Sequence, residues 1–203
     1  MENKINKVLL QHIGKQDLID KLHKDFDKEQ SELFEIIGGS GSGKTFLAKK
    51  ICEHLDNEDI AYDLYIPSFF NFNQFEKVFQ LLSGLEATEC KKILGEGSSL
   101  PSSSKYDFFY FLTEHLKIQI GIPKKVVIFE NTDCLDQYTL DFIQFFIEDT
   151  KQFPIKIIAF TREELFSFSN RMYLPFFSKS DIFNILKEIF QSKQADLETQ
   201  AEI

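Results

Sequence analysis

At 203 residues, with 43% apolar and 27% charged residues, the chain has the size and composition of one soluble packed domain. A net charge of −9 argues against a broad nucleic-acid footprint and leaves any such role to a local basic patch or a partner. No apolar run approaches membrane-spanning length, MENKINKVLLQHIGK lacks a signal-peptide core, and Cys52, Cys90 and Cys134 show no metal spacing, so a reduced cytoplasmic protein without a membrane anchor is expected.

Phe contributes 23 residues and Trp none. This reads mainly as core filling, the alternative being an apolar face for a partner. Only Arg162 and Arg171 carry a guanidinium, so any role that needs one has two candidates.

In chain order, HIGKQDLIDKLHKDF predicts a loop and then an amphipathic helix through Ile13, Leu18, Leu22 and Phe26. LFEII (33–37) is a short apolar run that reads as a buried strand. A helix should start near Gly43 and continue through Phe46, Leu47, Ile51 and Leu55. IAYDLYI (60–66) predicts a strand closed by Pro67, and FNQFEKVFQLL (72–82) a helix. GEGSSLPSSSK (95–105) reads as a surface loop. YDFFYFLTEHLKIQI (106–120) predicts a buried helix, KVVIFE (125–130) a strand, and LDQYTLDFIQFFIE (135–148) a helix. IKIIAFT (155–161) is a strand after Pro154, and MYLPFF (172–177) a short final strand. Ser178 is placed to cap a helix running to Phe190, with Asp181 at its third position. The tail from Ser192 is polar and should fray. Strands alternating with helices predict an α/β fold: three layers around a mostly parallel five-stranded sheet.

Within this pattern, Gly38-Gly39-Ser40-Gly41-Ser42-Gly43-Lys44-Thr45 fits G-x-x-x-x-G-K-[ST] between a predicted strand and a predicted helix. Glycines let backbone N–H groups turn inward around a polyphosphate, and the helix N-terminus adds partial positive charge. Lys44 is the candidate for the β- and γ-phosphates and Thr45 for Mg²⁺. Phe46, next along the helix, joins them as a nucleotide-contact candidate. The competing reading is a Gly/Ser linker that happens to end in Lys-Thr; the strand–loop–helix context weighs against it.

The second half of such a site is an acid at a strand end, and Glu130 follows Val126–Phe129 directly. It is the second metal candidate beside Thr45. Asn131 stands where a second acid would polarise the attacking water. An amide cannot take the proton, though it can orient water by hydrogen bonding. Asp133 is the substitute candidate base, or else a helix cap.

Taken together, HIGKQDLIDKL, the phosphate loop, VVIFENTDCLD, IIAFTREEL and LPFFSKSDIFNILKEIF occur in the order seen in AAA+ and STAND-type P-loop ATPases, and the chain resembles their origin-recognition-like and NB-ARC-like branches from His12 to Phe190. The resemblance implies ATP with Mg²⁺ as ligands, His12, Ile13 and Gly14 over the adenine, and Thr161-Arg162 as a γ-phosphate sensor. By spacing alone, Thr161 could equally cap a helix starting at Arg162 with Glu164 at its third position. Pro175 resembles the hinge into a helical lid, so the expected division is a nucleotide-binding domain over 1–175 and the start of a lid with a polar tail over 176–203, the lid being truncated or absent. The implied activity is an ATP-dependent switch or assembly ATPase with slow hydrolysis, working with another subunit or with copies of itself. The alternatives are a non-hydrolysing ATP-binding subunit that regulates a partner, and a nucleotide kinase, for which two arginines are few.

Overall fold

The computed structural model describes residues 29–69, 73–98, 104–119 and 125–176, with Leu22, Lys24 and residues 178–180, 182, 183, 186 and 187. The chain clusters into two compact units, one of residues 28–174 and one of residues 1–27 with 175–203. In the second unit the described residues 22, 24, 179, 180, 182, 183, 186 and 187 are helical.

The larger unit contains β1 (Glu32–Ile37), α1 (Lys44–Asn57), β2 (Tyr62–Tyr65), α2 (Gln74–Ser83), α3 (Ala87–Ser98), α4 (Lys105–Gln119), β3 (Lys125–Phe129), a 3₁₀ turn (Thr132–Cys134), α5 (Gln137–Asp149), β4 (Ile155–Thr161) and β5 (Asn170–Tyr173). The five strands are all parallel, in the order β2-β3-β4-β1-β5. Parallel neighbours need long crossovers, which put helices on both faces and demand strands that are apolar throughout. Val126–Phe129 and Ile157–Phe160 are accordingly fully buried.

Side chains alternate across the sheet. Leu33, Val127, Phe129, Ile157 and Ala159 join a core built with α2, α3, α4 and α5. Phe34, Ile36, Val126, Ile128, Ile158 and Phe160 face the opposite side, where α1 buries Leu47, Ala48, Ile51 and Leu55. Among the described residues, eleven phenylalanines lie in or against the first core. Phe142 lies 5.0 Å from Phe75, 5.2 Å from Phe109 and 6.2 Å from Phe79, ring centre to ring centre. Such tilted aromatic pairs add to simple area burial.

One sequence expectation fails. The stretch 95–105 is not all loop, since Gly95–Ser98 form the last turn of α3, a helix the pattern did not reveal. Gly97 is buried against α4: a Cβ there would lie 2.6 Å from Phe108 Cε2 and 2.9 Å from Phe111 Cδ1. The glycine marks a close helix–helix approach, not a turn. The final strand is also shifted, covering Asn170–Tyr173 where 172–177 was expected; Leu174, Pro175 and Phe176 lie outside it.

The register aligns the carboxyl ends at one edge. Ile37 pairs with Thr161, and Phe129 pairs with Ala159 on one side and Tyr65 on the other. Everything that follows β1, β3 and β4 therefore emerges side by side, at the edge where open parallel sheets take their ligands.

Candidate functional site

The loop after β1 turns back at once. Gly38 N donates to Thr161 O at 3.0 Å, tying the loop to the end of β4, and Ser42 N donates to Gly39 O at 3.2 Å. Gly41 (φ 80°) and Gly43 (φ 84°) adopt left-handed backbone, which side chains with a Cβ resist. Gly43 caps α1 and offers no side chain to the first-turn N–H groups.

Lys44 folds over this loop, its Nζ donating to the carbonyls of Gly38 and, at 3.0 Å, of Gly39. Burial pushes its pKa below the usual lysine value; the negative charge of Asp133 pulls it back up, and Arg162 adds a further downward push. Next to it, Thr45 Oγ1 donates to Glu130 Oε2 at 3.0 Å. Thus the two residues singled out as metal candidates, 85 positions apart in sequence, are in direct contact. Glu130 is buried, and its backbone N–H is fixed by Tyr65 O at 3.0 Å. Phe46, half-buried on the first turn of α1, has Lys50 Nζ 5.8 Å from its ring centre.

Asn131 adopts φ 51°, ψ 43°, a left-handed conformation that Asn tolerates better than most residues. Its carbonyl accepts from Cys134 N at 2.8 Å, closing the 3₁₀ turn. Asp133 sits in that turn. It does not cap α5, contrary to one of its two expected roles. The cap is Asp136, whose carboxylate accepts from Thr139 N at 2.8 Å. Asp133 instead pairs with Arg162, Oδ2 to Nε at 3.5 Å.

Thr161 is fully buried, and its hydroxyl donates to Glu163 O. No helix begins at Arg162; residues 162–169 form an irregular connection to β5, so the helix-cap reading of Thr161 falls. The cause is Glu35, which lies on β1 with no exposure. Its carboxylate accepts from Leu165 N (2.6 Å), Phe166 N (3.3 Å), Ser169 Oγ (2.7 Å) and Arg171 Nε (3.2 Å). Those N–H groups are drawn across the sheet and cannot enter a helix.

Two positioning residues escaped sequence reasoning. Glu35 was absorbed into an apolar strand, although a lone acid in such a run must find donors. Gln74, at the start of α2, gives Nε2 to Ser68 O (2.9 Å) and Cys134 O (2.8 Å) and accepts from Asp136 N (2.8 Å). It clamps the turn that carries Asp133, and nothing local in the sequence announces it. His12, Ile13 and Gly14, expected over the adenine, lie outside the described residues. Pro175 is exposed and belongs to the other unit.

No family model matches the sequence. Over 84 residues, 39% of this chain and 18% of the relative, it is 34% identical to mRNA cleavage and polyadenylation factor CLP1 of Vanderwaltozyma polyspora. In fold it is similar to a chain in the structure of Drosophila ORC bound to DNA, with TM-score 0.55 and 12% identity, covering 91% of this chain and 34% of that one. It is also similar to Cdc6p from Pyrobaculum aerophilum, with TM-score 0.52 and 15% identity, covering 85% and 48%. The chain spans less than half the length of each of these proteins. The fold is an α/β P-loop NTPase-like fold, like that of these ORC and Cdc6 chains. No helix among the described residues is long and apolar enough to cross a membrane.

Proposed function

We propose that the chain binds ATP with Mg²⁺ at the phosphate loop and works as an ATP-dependent switch or assembly ATPase that hydrolyses slowly. One observation carries this reading, the 3.0 Å hydrogen bond from Thr45 to Glu130 that joins the loop to the acidic strand end. A hydroxyl and a carboxylate side by side are hard oxygen donors of the kind Mg²⁺ accepts, with water and phosphate oxygens completing the shell. Thr45 and Glu130 would hold the ion; when bound, it supplies charge neutralisation on the phosphates.

Lys44, now on the carbonyls of Gly38 and Gly39, would exchange them for phosphate oxygens, and the N–H groups of the loop and of α1 would take the remainder. Asn131 orients water but cannot deprotonate it. Asp133 is the carboxylate left for that task, and its pairing with Arg162 restrains it, which favours slow turnover. ATP binding without turnover, in the service of a partner, is the second reading, favoured by the same asparagine. A nucleotide kinase is disfavoured because Arg171 is bound to Glu35 and Glu164, leaving one guanidinium near the loop.

The likeness in fold to a chain of Drosophila ORC bound to DNA supports reading it as one part of an assembly, with another protein subunit or further copies completing the site. Nucleic acid would be reached through a partner or a local patch. Calorimetry with ATP, with and without Mg²⁺, together with phosphate-release kinetics, tests the proposal. Binding strengthened by Mg²⁺ and turnover far below a typical enzymatic value of about 10 per second are expected. Absence of binding, or turnover at that value by the chain alone, would refute it.

A further inference from the structure

The two arginines differ in how firmly they are held. Arg171 is bound three ways: Nε to Glu35 at 3.2 Å, Nη1 to Glu164 at 2.8 Å and Nη2 to Phe166 O at 2.6 Å. Arg162 is 62% exposed and reaches Asp133 through Nε at 3.5 Å. Asp133 is the opposite kind of partner, only 13% exposed. Its Oδ1 is buried and finds no hydrogen-bond partner among the described residues.

The turn that carries Asp133 is held on both sides. Thr132 Oγ1 donates to Phe129 O at 3.1 Å, and Gln74 clamps Cys134 and Asp136 on the other side. The guanidinium is the movable end of the pair. Both charges are close enough to shift the Lys44 ammonium, Asp133 upward and Arg162 downward. They follow β3 and β4, which are adjacent and end at the same edge.

We infer that Asp133 is a detachable counter-ion for Arg162 that sets the preference of the site for nucleoside triphosphate over diphosphate. The inference rests on the reading of the phosphate loop as an ATP site. Without a terminal phosphate, the guanidinium stays on Asp133. A terminal phosphate competes for it with more charge and better geometry: a loose exposed ion pair is worth only a few-fold in an equilibrium, whereas a charge-assisted guanidinium–phosphate contact is worth roughly ten- to a hundredfold. The Asp133 pairing subtracts from the triphosphate's gain and barely touches the diphosphate. Release of Arg162 also frees a carboxylate, already short of donors, to accept a hydrogen bond from water.

The test is calorimetry on the full chain with Mg²⁺, comparing a non-hydrolysable ATP analogue with ADP. Wild type, Asp133→Asn, Arg162→Ala and the double variant are titrated, with Asp133→Ser standing in should the Asn variant not fold. The ratio of analogue to ADP affinity should rise about three- to tenfold in Asp133→Asn and fall about tenfold in Arg162→Ala. The double variant should match Arg162→Ala, since no guanidinium remains to be released. Two results would overturn the inference while leaving the ATP reading intact: both nucleotides bind but Asp133→Asn leaves the ratio unchanged or lowers it, or it raises the ratio equally without Arg162. If wild type binds neither nucleotide, the ATP reading and the counter-ion role fall together.

Discussion

Two buried glutamates sit on the same parallel sheet and live in opposite circumstances. Glu35, in the middle of β1, accepts hydrogen bonds from two backbone N–H groups, a hydroxyl and a guanidinium. Glu130, just past the end of β3, accepts one side-chain hydrogen bond among the described residues, from Thr45. A buried carboxylate costs several kcal/mol unless it is paired, so Glu35 is complete and Glu130 is not. Saturation marks a charge whose work is to hold a loop in place. Spare acceptor capacity, at the edge where a phosphate loop expects a cation, marks a charge reserved for a ligand. Arg171 and Arg162 repeat the contrast in the opposite sign.

The largest effect should separate the glutamates by stability. Glu35→Ala leaves two N–H groups and the Ser169 hydroxyl without their acceptor and removes one of the three contacts of Arg171, and should cost about 3–5 kcal/mol in urea denaturation. Glu130→Ala frees only a hydroxyl on an exposed residue and should cost about 1 kcal/mol or less. Its effect should fall instead on the Mg²⁺ dependence of nucleotide binding. Equal losses of stability would break the comparison.

Next in size is Lys44→Ala, which should weaken ATP binding by about 1.5–3 kcal/mol in calorimetry while the denaturation midpoint stays put. Because the lysine now contacts only its own loop, a large stability loss would place it with Glu35 and not with Glu130.

The smallest effects concern the glutamate's neighbour. Asn131→Ala should cost about 1 kcal/mol of stability in the same denaturation assay, because alanine tolerates φ 51° less well. Asn131→Asp keeps that tolerance and restores an acid; phosphate release should quicken if a missing base limits turnover. If it does not, and Asp133→Ala stops the turnover present, the base is Asp133.

How far these features could be read without coordinates follows from what stabilises them. β4 was legible to the residue, 155–161, because a strand buried on both faces is an unbroken apolar run. The phosphate loop was legible because glycine spacing is itself the backbone requirement. α3 was hidden: only Cys90, Ile93 and Gly97 are buried, and Gly97, which makes room for Phe108 and Phe111, looks like loop composition. The Glu35 hub and the Asp133–Arg162 pair were hidden for a different reason. Each depends on which strands lie side by side, and the order β2-β3-β4-β1-β5 is a property of the whole chain that no local window carries. Thr45 and Glu130 could be named together as metal candidates only because the phosphate loop demands an acid opposite it; their direct contact was not legible.

The central claim, that an incompletely satisfied Glu130 and the phosphate loop form one Mg²⁺–ATP site, is tested most directly by a calorimetric cycle. ATP binding is measured with and without Mg²⁺ in wild type, Thr45→Ala, Glu130→Gln and the double variant. The account predicts that Mg²⁺ strengthens binding in wild type, that each single variant loses most of this gain, and that the double variant loses no more than either single one, because both residues serve one ion. An unchanged Mg²⁺ gain in Glu130→Gln, or losses that simply add, would contradict it.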